Sequence, residues 1–258
     1  MDESSSTAAP HQMALQTFDL GIRLPKGRGV RRLFSEGHWA FKDVSVSIRR
    51  GETLAILGRN GSGKSTLLKT LAGILEPDIG RIEYAPNLTT AILAPGAGFD
   101  PGLTGRENIY ATALYHQFLP KEIDAKIDGI VEFSQLGTWI DQPIAIYSAG
   151  MRARLGFSLS LYLPADILMI DESLSAGDVD FREKSQKAIE DLAASDRTVI
   201  LISHNMPTIR SMCPRAIVLD QGRMLGDGET GAMIELYTGV VRKTKEQAAA
   251  AAKDVAGG

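Results

Sequence analysis

The residues best suited to chemistry fall in four short stretches, and the first is Gly58-Arg59-Asn60-Gly61-Ser62-Gly63-Lys64-Ser65-Thr66. Its glycines followed by a lysine and two hydroxyls make a complete P-loop pattern. Glycine leaves room for backbone N–H groups to turn inward around phosphate oxygens, where side chains would obstruct them. A helix opening at Lys64 would add its N-terminal partial charge to the same point. Lys64 would then reach the β- and γ-phosphates of ATP, and the Ser65 hydroxyl would ligate Mg²⁺. A chance Gly-rich turn is the competing explanation. Against it stands the context: an apolar run at 53–57 before the turn and a helical pattern at 64–75 after it.

The second stretch is Ile167-Leu168-Met169-Ile170-Asp171-Glu172, an apolar strand ending in two carboxylates. Burying charge without a partner costs several kcal/mol, and a divalent cation supplies the partner. Asp171 suits the metal, through water, and Glu172 suits a general base acting on an attacking water; the competing explanation is that both acids cap the next loop. The third is His204, after the apolar run Val199-Ile200-Leu201-Ile202-Ser203. A lone histidine is usually ordinary, but at the end of a central strand it would face the same crevice as the P-loop. The fourth is Tyr147-Ser148-Ala149-Gly150-Met151-Arg152, small residues opening a helix ahead of the acidic strand. Such a helix start is a phosphate site, or simply an N-cap.

The elements that must hold these residues alternate. Strand patterns occur at 14–24, 39–48, 53–57, 89–93, 167–170, 198–203 and 216–220. Helical patterns occur at 64–75, 121–134, 149–163, 181–194 and 207–212, and Thr104 with Glu107 has capping-box spacing for a helix reaching about 118. Alternating strands and helices predict an α/β sheet, parallel in part, interrupted by a helical subdomain at about 95–163. Residues 1–12 read as a flexible leader. Residues 243–258 read as a helical or disordered tail, solvating and without a specific role. The turn carrying Lys26, Arg28, Arg31 and Arg32 is either a solvated loop or a contact for anionic headgroups.

Taken together, the P-loop, the 147–152 stretch and the acidic strand make the chain resemble the ABC ATPase family over residues 14–240. The resemblance implies a P-loop NTPase core with an antiparallel β-subdomain and an inserted α-helical subdomain. It implies that Ser148, Ala149, Gly150 and Met151 form the signature sequence, with Ala149 replacing the usual first glycine, and act on the ATP held by a second copy. Ser175-Ala176-Gly177-Asp178 is similar to the loop that contacts that copy. Three stretches resemble the subunits that drive export of O-antigen, teichoic acid, capsule or galactan: 37–45 (GHWAFKDVS), 96–108 (GAGFDPGLTGREN) and 147–157 (YSAGMRARLGF). The expected partners are a homodimeric copy, two copies of an integral membrane permease and a lipid-linked polysaccharide, at the cytoplasmic face of the inner membrane.

Two departures from the family pattern stand out. The family's Gln after the strand at 89–93 would fall near Pro95, and no Gln occurs between 87 and 108. The aromatic that stacks on adenine has two candidates, Phe34 and Trp39. An additional carbohydrate-binding domain, which some O-antigen exporters carry, is not expected in a chain of this length.

Composition narrows the alternatives. With 28 Lys and Arg against 31 Asp and Glu, the net charge of −3 argues against a nucleic-acid binder that depends on counterion release. Cys213 has no second cysteine to pair with, so a reducing compartment is expected. No run approaches the ~18 apolar residues of a spanning helix, and residues 1–10 lack the apolar core of a secretory signal, so a soluble protein serving a membrane from the side is expected. A soluble ABC ATPase of translation or DNA repair would carry two cassettes or long heptads, and the chain shows neither. A GTPase would carry Asn-Lys-x-Asp, which is absent. A transporter for another cargo is the remaining competitor.

Overall fold

A computed structural model describes residues 12–25, 37–93, 98–116, 118–171 and 179–256. β1 (Met13–Leu24) is the hub of an antiparallel sheet. It pairs with β2 (His38–Val44) near its end and with β3 (Ser47–Arg49) near its start. The single strand expected at 39–48 is thus two. The ladder breaks where Asp43 adopts φ 57, and Asp19 of β1 adopts φ 49. The buried Thr17 hydroxyl fills the gap, accepting from Val46 N at 2.8 Å, and Ser45 Oγ accepts from Asp19 N at 2.8 Å. Hydroxyls here replace the missing rungs, as buried backbone groups require.

The chain then enters the second sheet with β4 (Thr53–Gly58) and α1 (Lys64–Leu71). It returns to pair β5 (Ile79–Tyr84) with β1, and goes back through β6 (Thr90–Leu93). α2 (Gly105–Tyr115), α3 (Pro120–Asp124), α4 (Ile127–Ser134) and α5 (Ala149–Tyr162) form the helical insertion. The remainder alternates: β7 (Ile167–Asp171), α6 (Val179–Ala193), β8 (Thr198–Ile202), α7 (Met206–Met212), β9 (Arg215–Asp220), β10 (Arg223–Glu229) and α8 (Thr230–Ala256). The order across this sheet is β10-β9-β4-β8-β7-β6, parallel except for the β9–β10 hairpin. The expected α/β core, antiparallel subdomain and helical insertion are all present.

Central strands buried on both faces read as continuous apolar runs, and their alternation feeds two cores. Leu54 and Ile56 of β4 face the antiparallel sheet, where they meet Phe41, Leu67, Leu68 and Ile200. Ala55 and Leu57 face the other way, toward a core that includes Ile109, Phe157 and Leu168. Phe133, Phe157 and Phe181 hold the helical insertion to α6, with ring centroids 5.9 Å apart in each pair.

Several elements differ from expectation. The helix read over 64–75 ends at Leu71, and the one read over 121–134 breaks between Asp124 and Ile127. β5 and β10 were not anticipated, because their exposed, glycine-interrupted sequences carry little apolar alternation. α8 runs unbroken through 243, where a boundary between domain and tail was expected. No helix among the described residues is long and apolar enough to cross a membrane.

Candidate nucleotide site

The P-loop is shaped by its neighbours as much as by its glycines. A Cβ at Gly58 would lie 2.3 Å from Leu219 O and 2.5 Å from Ser62 Oγ, so the end of β4 admits no side chain. Gly63 stands at φ 100 immediately before α1, and a Cβ there would lie 2.4 Å from Ala40 O of β2. The β9–β10 turn supports the loop from below, with Gly222 N donating to Ser62 O at 3.2 Å and Gly222 O accepting from Lys42 N at 2.8 Å. Both sheets therefore fix the loop.

Lys64 is 7% exposed, and its Nζ donates to Gly58 O at 2.7 Å and to Arg59 O at 2.9 Å. Ser65 Oγ donates to Asp171 Oδ2 at 2.5 Å, bringing together the two residues assigned to a metal from α1 and β7. Their oxygens suit Mg²⁺, which binds through one or two protein groups and takes its remaining ligands from water and phosphate. Ser62 Oγ is buried without a hydrogen-bond partner among the described residues. An orphaned hydroxyl inside a phosphate-shaped turn is accounted for by an anion that would accept from it.

A cavity of about 710 Å³ opens over this group. Residues 60–66, Asp171, Ile202 and His204 line it from the second sheet, and Leu24, Ala40, His38 and Trp39 line it from the antiparallel one. His204, exposed just past β8, stands at the crevice as expected. Trp39 lines the cavity with the Arg23 guanidinium 4.3 Å from its ring centroid. The rival aromatic, Phe34, lies outside the described residues, as do Glu172, Ser175, Ala176, Gly177, Asp178, the basic turn at 26–32 and the position of the missing Gln near Pro95. Arg59 differs from expectation in its side chain, which points away from the cavity toward Asp220 and Thr244. Leu24 and His38 were missed because cavity walls built from strand ends carry no motif; they face each other in the β1–β2 register.

The 147–152 stretch is elsewhere. Ser148 caps α5, its Oγ accepting from Met151 N at 3.1 Å. Ser148 and Ala149 are exposed, and neither they nor Gly150 and Met151 line the 710 Å³ cavity. Among the described residues, and apart from its own helix backbone, a Cβ built on Gly150 would meet only Ser148 Oγ, at 3.8 Å. Nothing among the described residues requires glycine there.

A second surface lies on the helical insertion. Leu114, Tyr115 and Leu119 are 54%, 76% and 64% exposed. Beside them a cavity of about 500 Å³ is lined by Ile74, Phe99, Tyr115, His116 and Leu159, among others. Burial holds the His116 imidazole below its usual pKa.

Comparison with known proteins fits this geometry. The family model described as ABC transporter matches residues 41–175. The teichoic acids export ATP-binding protein TagH of Lactococcus lactis is 42% identical over 208 residues, 81% of this chain and 44% of that protein. The O-antigen export system ATP-binding protein RfbB of Klebsiella pneumoniae is 40% identical over 210 residues, covering 81% and 85%. The chain therefore spans under half of the first relative and most of the second. Among solved structures, a dimeric post-hydrolysis state of the ATP-binding cassette MJ0796 bound to ADP and Pi superposes with TM-score 0.68 at 19% identity, over 84% of this chain. Sequence and fold agree, and the chain belongs to the ABC transporter family.

Proposed function

We propose that this chain is the ATP-hydrolysing subunit of an ABC exporter, coupling ATP hydrolysis to translocation of a lipid-linked polysaccharide across the cytoplasmic membrane. The observation that carries the hydrolytic part is the convergence of Lys64, Ser65 and Asp171 beneath one cavity, with an orphaned Ser62 hydroxyl in the loop. Bound Mg²⁺ would neutralise phosphate charge. Residues 58–66 would cradle the phosphates, with Lys64 exchanging its two carbonyl partners for phosphate oxygens. Ser65 and Asp171 would hold the metal. Glu172, next along the chain, would accept a proton from the attacking water, and His204 would orient at the same crevice. Trp39 is our candidate for stacking on adenine, since it lines the cavity.

The helix start at 148–151, with Ser148 and Ala149 exposed outside that cavity, supports a site completed by a second copy of the chain. The apolar groove beside Tyr115 supports docking of the membrane subunit, in two copies, and would place the protein peripherally at the cytoplasmic face. Cargo rests on the named relatives, which serve teichoic acid and O-antigen export. Within 96–108 the described residues are occupied with their own fold: Asn108 accepts from Asp100 N at 2.7 Å and donates to Asp100 O and Thr104 O. The test is depletion of the protein in its native cell, followed by sizing of lipid-linked glycans from inner membranes. Accumulation of a long glycan on its carrier is expected. Intact surface polymer without accumulation would remove the polysaccharide cargo and leave the ATPase.

A further inference from the structure

The distal half of α8 reaches back to the nucleotide loop. α8 is pinned at its start, where Thr230 Oγ1 donates to Cys213 O at 2.5 Å and Thr230 N to Pro214 O at 3.2 Å. Ile234 is buried, and Met233, Leu236 and Tyr237 pack on the main core. Leu236 comes so close to β10 that a Cβ on Gly226 would lie 2.7 Å from it. The helix then carries Thr244 to the P-loop, where Thr244 Oγ1 accepts from Arg59 Nη1 at 2.8 Å while donating to Val240 O at 3.0 Å. The same Arg59 nitrogen lies 3.9 Å from Asp220 Oδ1 at the end of β9. Arg59 is thus held between α8 and the β9–β10 hairpin.

The backbone of Arg59 is what matters to the site. Its carbonyl accepts from Lys64 Nζ at 2.9 Å and from Ser62 N at 3.1 Å. We propose that Thr244 is a positioning residue for the nucleotide loop: by holding the Arg59 side chain, it fixes the carbonyl that accepts from Ser62 N and so sets the turn of the loop around the phosphates. A loop held in its binding shape loses less freedom when the ligand arrives. Docking of the distal half of α8 and binding of ATP therefore favour each other, and the coupling is reciprocal. This gives a role to a segment whose sequence, KTKEQAAAAAK, suggests only a solvated tail.

The inference rests on residues 58–66 being the ATP cradle, so Lys64→Ala is measured alongside. The experiment titrates the full chain with Mg-ATP and compares wild type, Thr244→Val, Thr244→Ser and Lys64→Ala. Valine keeps the shape and removes the acceptor; loss of one such hydrogen bond predicts binding weakened about fivefold, with serine restoring it. In wild type, ATP should also slow amide exchange at 236–246, and the valine variant should lose that protection. Unchanged affinity in Thr244→Val, tighter binding, or a serine variant as weak as valine would overturn the role. Undiminished ATP binding by Lys64→Ala would instead overturn the cradle itself.

Discussion

At the scale of single residues, the site is a set of polar groups held in waiting. Lys64 is almost fully buried yet spends its charge on two backbone carbonyls of its own loop, a placement that suits a cation about to be offered phosphate oxygens. Ser65 and Asp171 meet across the gap between α1 and β7 at hydrogen-bond distance. Glu172 follows Asp171 in sequence, and replacing it by Gln removes the base while conserving shape. Glu172→Gln should still bind ATP and lower steady-state hydrolysis by about a hundredfold or more, the usual range for loss of general-base assistance. It should also accumulate as an ATP-bound dimer in size-exclusion chromatography. Hydrolysis at the wild-type rate would show that another group activates the water.

At the scale of elements, stability depends on polar groups that brace loops around the site. Asn108 in the first turns of α2 is 1% exposed and ties that helix to its approach, its Oδ1 accepting from Asp100 N and its two amide hydrogens shared among the Asp100, Leu103 and Thr104 carbonyls. Asn108→Ala strands buried backbone groups, and each unmade bond of this kind costs about 1–3 kcal/mol. Urea unfolding should show a loss of about 2 kcal/mol, and a change below about 0.5 kcal/mol, the range of ordinary surface substitutions, would contradict the bracing role. Arg215 acts similarly between strands, bidentate to Asp227 at 2.6 and 2.7 Å and bonded to Glu52 at 2.9 Å. These partners hold its guanidinium charged well above the ordinary arginine value.

What the sequence discloses follows from the same physics. β4, β7, β8 and β9 are legible because burial on both faces writes continuous apolar runs, and α2 because the Thr104–Glu107 capping box is local, with Glu107 Oε2 accepting from Thr104 N at 2.8 Å. The P-loop is legible because phosphate binding constrains consecutive residues. β5 and β10 are obscure because their partners, not their own patterns, make them strands. The walls at Leu24 and His38, and the contact of Thr244 with Arg59, are obscure for a related reason: residues 185 positions apart meet only after the sheets have formed.

For the whole molecule, the residues proposed for the reaction lie at two places. The P-loop and the acidic strand share one cavity, whereas Ser148 and Ala149 stand exposed, with Gly150 and Met151 half-buried behind them, at another place on the same chain. Completion by a second copy makes each chain contribute a different half to each of two sites, and inactivating different halves in different chains becomes informative. Lys64→Ala destroys the loop and leaves the 148–151 helix start, while Ser148→Arg does the reverse. The most direct test is the ATPase rate of an equimolar mixture of these two inactive variants. Random pairing through a two-fold interface predicts recovery to about a quarter of the wild-type rate, from mixed dimers with one intact site. A mixture as inactive as its components, with mixed dimers demonstrably formed, would contradict a site shared between copies.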